Sequence, residues 1–153
     1  MKQKLAIFVL FSILLVTFTL YGCSPAPVDA ETDLQIREYF ASIFPVDSPD
    51  DISYMNLGTY RGNVAFYMPG LGLAQVITEV EVAGVRFSYP NSNQIHIWSE
   101  GDYYTMPEAY EKGLIGYFDL HMIRHIYEKE QKKEREAYNE EYLKWLEEQN
   151  NQQ

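Results

Sequence analysis

Residues 94–113 read QIHIWSEGDYYTMPEAYEKG, and this stretch decides the fold because the sequence changes within it from strand to helix. Residues 94–104 predict two strands joined by a short turn of an acidic residue and a glycine. Thr105 and Glu108 then have the spacing of a capping box, in which the threonine hydroxyl accepts from the Glu108 amide. The stretch therefore predicts a β-hairpin that leads directly into a short helix.

The residues upstream continue the strand pattern, because apolar and polar side chains alternate there with a period of two. Residues 57–68 predict a hairpin with Gly62 in its turn, residues 76–82 a strand with one wet face, and residues 85–89 a further strand. Together with residues 94–104, this block predicts an antiparallel β-meander of five or six strands.

Helices are predicted on both sides of the meander, so the fold class is α+β. Asp33–Phe44 precedes the meander and has apolar residues at helical spacing. After the meander, Gly113 ends a short helix, and a long last helix begins at Gly116 or Asp119 and runs to about residue 148. We expect the two C-terminal helices to pack on one face of the sheet.

The last helix has two apolar stretches separated by an almost wholly charged segment at residues 128–136. The first should pack on the sheet and contains Leu120, Ile123, Ile126 and Tyr127, whereas the second contains Tyr138, Tyr142, Trp145 and Leu146. A helix of about 30 residues is ~45 Å long, more than the diameter of a small domain. Either it projects and its second apolar stripe binds a partner, or it bends back over the domain or simply frays. General helix packing favours the second interpretation.

The N-terminus has the features of a secretory signal. Lys2 and Lys4 are followed by an apolar run from Leu5 to Leu20, and this order of charge and apolar residues is typical of signal peptides. The run has 16 residues, which is short for a membrane-spanning helix that needs ~20 residues. A cleaved signal is therefore the preferred interpretation.

The run ends in Leu20-Tyr21-Gly22-Cys23, which resembles the lipobox of bacterial lipoproteins. The resemblance implies cleavage after residue 22, transfer of a diacylglycerol to the Cys23 thiol, and anchoring of an exported protein on the extracytoplasmic side of the cell membrane. The chain then divides into a signal peptide at 1–22, a lipidated N-terminus and tether at 23–31, a globular domain at 32–127 and a charged helical extension at 128–153.

A second resemblance covers about residues 95–126. The stretch WSEGDYYTMPEAYEKGLI at residues 98–115 resembles a strand–turn–helix segment that recurs near the end of many small uncharacterised bacterial lipoproteins. The resemblance implies structural roles for its residues, as caps, turn and aromatic packing, and it implies no activity.

Charge and cysteine content exclude several function classes. Residues 1–22 contain two lysines and no acid, so removing them changes the formal net charge from −10 to −12. Nucleic acids and anionic lipid surfaces require neutralising Lys and Arg, so neither is an expected partner for the domain. Cys23 is the only cysteine, and once it is lipidated no disulfide or Cys-ligated metal can form.

Three sets of residues suggest chemistry weakly. His121 and His125 have the i, i+4 spacing of metal-binding histidines, but no third ligand is evident except His96 or an acid. Two carboxylate pairs could divide acid and base roles, although an acidic surface produces such pairs without function; they are Glu79 with Glu81 and Glu100 with Asp102. His96 and Trp98 could form an exposed stacking platform, but burial beneath the final helix is favoured.

We therefore expect a membrane-anchored envelope lipoprotein that is a non-catalytic binding or scaffolding module, with no cofactor and with an envelope protein as its partner. One alternative is a small surface hydrolase that uses Glu and His residues. The other is an accessory subunit that docks through Tyr138, Tyr142, Trp145 and Leu146 of the last helix. The sequence does not determine the oligomeric state.

Overall fold

The computed structural model describes residues 25–71 and 79–150. The predicted signal peptide, Cys23 and the first part of the strand predicted at residues 76–82 lie outside the described residues. No helix among the residues that the structure describes is long and apolar enough to cross a membrane.

The described chain contains three α-helices and six strands, which confirms the α+β class. The helices are α1 (Ala30–Ala41), α2 (Met106–Glu111) and α3 (Tyr117–Asn150). The strands are β1 (Met55–Tyr60), β2 (Asn63–Tyr67), β3 (Val80–Val82), β4 (Val85–Phe87), β5 (Ile95–Ser99) and β6 (Asp102–Thr105).

All strand pairs are antiparallel, but the strands lie in two sheets instead of one continuous meander. One sheet has the order β1-β2-β5-β6, and β3 and β4 form a separate two-stranded sheet. The direct pairing of β2 with β5 places Val64 opposite Trp98, and the next pairing places Trp98 opposite Tyr103. The β3–β4 hairpin therefore lies in the connection between β2 and β5, which are neighbours in the larger sheet.

Each hairpin turn consists of a residue with positive φ followed by glycine. Both central residues of a type I′ turn require positive φ, and this turn matches the twist of the flanking strands. The observed φ values are 54° and 82° at Arg61-Gly62, 50° and 79° at Ala83-Gly84, and 52° and 87° at Glu100-Gly101.

Gly58 marks an irregularity in β1, where the register with β2 shifts between Asn56 and Gly58. Its φ is +116°, which an L-residue rarely adopts. The Tyr60 ring folds over it, and the Tyr60 hydroxyl donates a 2.8 Å hydrogen bond to the Leu57 carbonyl. A Cβ at Gly58 would lie 2.7 Å from that hydroxyl oxygen, so any other residue would have to displace the Tyr60 ring as well as adopt this φ.

Helices cover both faces of the four-stranded sheet. The two C-terminal helices lie on one face, as expected, and bury Met106, Ala109, Leu120, Ile123, Ile126 and Tyr127 against β-strand residues. α1 lies on the other face and packs Ile36 and Phe40 against Val64, Phe66 and Trp98. The sheet therefore separates two apolar cores.

The folded domain begins earlier than residue 32. The Asp29 carboxylate accepts from the Thr32 amide at 2.9 Å and caps α1. Upstream of it, the Ala26 carbonyl accepts a 2.9 Å hydrogen bond from the Asn56 side chain, and Val28 packs against the α1 core. Within the stretch 23–31 that was predicted as a tether, residues 26–31 are therefore attached to the domain.

α3 is continuous over 34 residues, which corresponds to ~51 Å. Its buried residues end at Tyr127, and the Arg135 guanidinium still lies 5.7 Å from the centre of the Tyr89 ring. Residues 136–145 are exposed. The helix therefore projects beyond the domain, and the expectation that it bends back is wrong.

Candidate functional site

The projecting part of α3 carries a row of exposed aromatic side chains. Tyr138, Tyr142 and Trp145 are 68%, 50% and 51% exposed, and Leu146 beside them is half-buried. The rings of Tyr142 and Trp145 stack with centroids 6.0 Å apart. The structure thus brings together the four residues predicted for partner binding, which we call the aromatic stripe.

The aromatic stripe has the spacing of a coiled-coil seam. Tyr138, Tyr142 and Trp145 are separated by four and then three residues, as are successive d, a and d positions of a heptad. Trp145 also lies 18 residues after the buried Tyr127, which is about five helical turns. The stripe therefore continues the side of α3 that packs on the domain.

Acidic residues border the aromatic stripe on one side. Glu134, Glu141 and Glu148 follow one another at intervals of seven residues, and with this heptad register they occupy g positions, which flank the seam. The segment 137–150 contains four glutamates and Lys144 as its only cation, a formal charge of −3. A partner of this surface should therefore carry positive charge.

The candidate metal-binding histidines lie at the other end of α3. The Nδ1 atom of His121 is 3.3 Å from the Arg124 guanidinium, and the His121 ring packs edge-on against Tyr117 at 4.7 Å. His125 is exposed. Among the residues that the structure describes, no group of three His, Cys, Asp or Glu could hold a metal ion, and the Arg124 cation beside His121 disfavours one.

The predicted carboxylate pairs are surface features. Glu79 and Glu81 both face the Arg86 guanidinium, at 3.4 and 2.9 Å. Glu100 and Asp102 are exposed in and beside the β5–β6 turn, and Asp102 accepts from the Tyr103 amide at 2.8 Å. Neither pair is enclosed in a cleft, so neither has the setting that separates an acid from a base.

His96 and Trp98 are buried and do not form an exposed platform. The expectation of burial is confirmed, but Trp98 is covered by α1 and not by the final helix. The Trp98 ring lies 5.3 Å from Tyr39 of α1, edge-on, and the His96 ring lies 5.4 Å from Tyr103. The choice of helix follows from β-strand alternation, which places His96 and Trp98 on the α1 face and Ile95 and Ile97 on the other.

A cavity of about 230 Å³ lies where β5 begins and β6 leads into α2. It is lined by Val80, Asn93, Ile95, His96, Thr105, Met106 and Pro107. Within the described part of the chain, Nδ1 of His96 and both polar atoms of the Asn93 carboxamide are buried without a hydrogen-bond partner. Sequence reasoning missed Asn93, because its position predicts a turn and nothing signals that its amide is enclosed.

Burial lowers the pKa of His96, an effect that the Gln94 carbonyl and the Glu108 carboxylate only partly oppose. The imidazole is therefore neutral at pH 7.

Comparison with protein-family models, with curated proteins and with solved structures finds no match.

Proposed function

We propose that this chain is an exported lipoprotein, held on the extracytoplasmic side of the cell membrane by lipid on Cys23, and that it docks an envelope protein through the aromatic stripe. In this proposal it is a binding module and not an enzyme. The observation that carries the docking is the exposure of Tyr138, Tyr142 and Trp145 on a helix that extends beyond its domain.

The proposed anchor would hold the domain close to the membrane. Two acyl chains on Cys23 give stable attachment without help from the polypeptide, since each buried methylene contributes about 0.8 kcal/mol. Ala26 is already bonded to Asn56, so three residues, spanning at most ~10 Å, connect the lipid to the domain. A partner in the same membrane would meet a raised effective concentration of the aromatic stripe.

The partner that best fits the aromatic stripe is a helix with its own apolar seam and with Lys or Arg beside it. Glu134, Glu141 and Glu148 would then pair with the partner's basic residues across the seam. Pairing with a second copy of this chain is disfavoured in either orientation. In an antiparallel pair the g positions of the two helices face each other, so the glutamates would repel. In a parallel pair the g positions face e positions, which here are Asn139 and Leu146 and offer no positive charge.

Site-specific photo-cross-linking tests this proposal in cells that make the full-length protein. A benzophenone amino acid replaces Trp145 in one variant and Glu140 in another, because Glu140 is exposed and points about 140° away from position 145 on the helix. We expect an adduct from position 145 and little from position 140. Mass spectrometry of the adduct should identify a helix-forming segment with basic residues beside apolar ones.

The adduct should also depend on the rest of the aromatic stripe. Replacing Tyr138 with Ser in the Trp145 cross-linking variant should reduce its yield several-fold, because the seam loses one of its apolar residues. Equal yields from positions 140 and 145, or an adduct with twice the mass of this chain, would contradict docking to a basic partner helix.

The anchor is tested separately from the docking. Mass spectrometry of the mature protein should find residue 23 as the N-terminus, carrying a diacylglycerol, and Cys23→Ser should abolish that modification and release the protein from the membrane fraction or block its processing. An uncleaved leader or an unmodified thiol would refute the anchor and leave the docking test intact.

A further inference from the structure

We infer that the aromatic stripe lies at the membrane surface, and that the helix that docks on it belongs to a membrane-spanning protein and lies next to the bilayer. This inference rests on the proposed function, because it needs the lipid at Cys23, and it adds where the docking takes place and which kind of partner can reach it. It follows from the positions at which the N-terminal segment and α3 leave the domain.

α3 runs in the same direction as β2. At the turn before β2, the Arg61 guanidinium lies 3.3 Å from the carboxylate of Asp119 in the first turn of α3. At the end of β2, the Tyr67 ring lies 5.2 Å from the ring of Tyr127, which is the last buried residue of α3. The helix therefore leaves the domain at the end of the sheet where β2 ends.

The N-terminal segment leaves the domain at the same end of the sheet. Because β1 is antiparallel to β2, Asn56 near the start of β1 lies opposite Phe66, the last residue but one of β2. The Asn56 side chain donates a 2.9 Å hydrogen bond to the Ala26 carbonyl. Cys23 is three residues upstream and therefore at most ~10 Å from Ala26. Lipid on Cys23 would thus hold this end of the sheet against the bilayer.

This shared exit restricts how the domain can stand on the membrane. If α3 pointed away from the bilayer, the region around Phe118, which precedes Tyr127 by ~14 Å along the axis, would have to occupy the space of the bilayer. If α3 pointed steeply inward, Glu141 and Glu148 would lose their hydration in the hydrocarbon. The exposed part of α3 therefore inclines toward the headgroups, and its end lies nearer to the membrane than its beginning.

The position and the charge of the aromatic stripe together define the partner. Tyr and Trp are favoured at membrane interfaces, because they combine an apolar ring with a polar group. The segment 137–150 has a formal charge of −3, so anionic headgroups repel it and the bilayer alone is not a complementary surface. A helix beside the membrane that carries Lys or Arg next to apolar residues supplies both the seam and the opposite charge.

Energy transfer to the membrane tests the orientation. Cys23 is the only cysteine, so the full-length lipidated protein takes a single fluorescent donor at Glu140→Cys or at Phe118→Cys, both of which are exposed positions. The acceptor is a headgroup-labelled lipid in phosphatidylcholine vesicles. We expect transfer to be at least about twofold more efficient from position 140, because the two positions are ~33 Å apart along α3.

The other results of this measurement would overturn the inference. Equal transfer from the two positions, or stronger transfer from position 118, would mean that the end of α3 is not the part nearest the bilayer. Absence of transfer from both positions would remove the anchor and the inference together.

The cross-link from position 145 tests the partner. We expect the cross-linked peptide to lie within about 20 residues, or ~30 Å of helix, of a membrane-spanning segment. An adduct with a protein that lacks such a segment would overturn the inference and leave the proposed docking intact. An adduct with lipid alone would assign the aromatic stripe to the bilayer and overturn both, and so would the absence of any adduct.

Discussion

The hydroxyl of Tyr127 donates a 2.8 Å hydrogen bond to the carbonyl of Pro90. Tyr127 is fully buried, and its ring lies 5.2 Å from Tyr67 and 6.2 Å from Tyr89. The contact joins the last buried position of α3 to the segment between β4 and β5. It attaches α3 to the domain at the point where the buried part of the helix ends.

Removing this hydroxyl should weaken the whole domain. Tyr127→Phe is expected to lower the free energy of unfolding by about 1 kcal/mol, because the part-buried hydrogen bond to the Pro90 carbonyl is lost. Tyr127→Ala should cost about 3–5 kcal/mol through the cavity that it leaves. Urea denaturation of the two variants measures both values. Tyr138→Phe, on the exposed part of the same helix, is the control and should change stability by less than about 0.5 kcal/mol.

The acids beside the aromatic stripe should govern docking without affecting the fold. We expect Glu141→Gln with Glu148→Gln to reduce the cross-linking yield from position 145 and to make it less sensitive to salt, because exposed ion pairs are screened by added ions. Glu140→Gln with Glu147→Gln removes the same charge from the opposite side of α3. If this second pair of substitutions has the same effect, net charge and not the g-position acids controls docking.

His96 should make stability depend on pH near neutrality. Because burial lowers the pKa of His96 in the folded state from 6.5, the unfolded chain binds a proton more readily. The contribution of neutral His96 is therefore complete above about pH 6.5 and decreases as the pH falls from there toward the folded-state pKa. His96→Gln should flatten this part of the profile when the free energy of unfolding is measured by urea denaturation at a series of pH values.

Gly58 and Gly62 offer a matched pair of backbone tests. Both have positive φ, but a Cβ at Gly58 meets the Tyr60 ring and one at Gly62 meets nothing within 4 Å. Gly62→Ala should therefore cost only the backbone strain, about 1–2 kcal/mol, and Gly58→Ala should cost more. Equal losses in thermal or urea unfolding would show that the Tyr60 contact contributes nothing.

Local signals in the sequence predicted local structure well. The capping box between Thr105 and Glu108 is present, with both of its hydrogen bonds, because it depends on residues three positions apart. The hairpin turns at Arg61-Gly62 and Glu100-Gly101 are also confirmed, since an X-Gly pair between alternating residues determines its own geometry.

Long-range features could not be predicted in the same way. Period-two alternation identifies a strand but not its neighbour, so the separation of β3 and β4 from the larger sheet has no local signal. Likewise, the sequence does not indicate which apolar helix packs over Trp98, and in the structure it is α1. The bond between Asn56 and Ala26 joins residues 30 positions apart, and therefore the early start of the domain was missed.

The two candidate sites, the aromatic stripe and the cavity beside His96, show the same difference between local and long-range features. The aromatic stripe was visible in the sequence because it depends on the spacing within one helix, although its exposure was not. The cavity beside His96 could not be seen, because enclosure of the Asn93 amide requires β3, β5 and α2 to meet.

The unbroken course of α3 from its buried first third to its exposed end has a mechanical consequence. Trp145 lies ~27 Å along the axis from Tyr127, and no proline or glycine interrupts the helix between them. A pull applied by a bound partner would thus be transmitted along a stiff rod into the apolar core around Leu120 and Ile123. The domain would resist this force as a single body. The force needed to detach α3 from the domain would therefore depend on packing in the core and not on bending at a hinge.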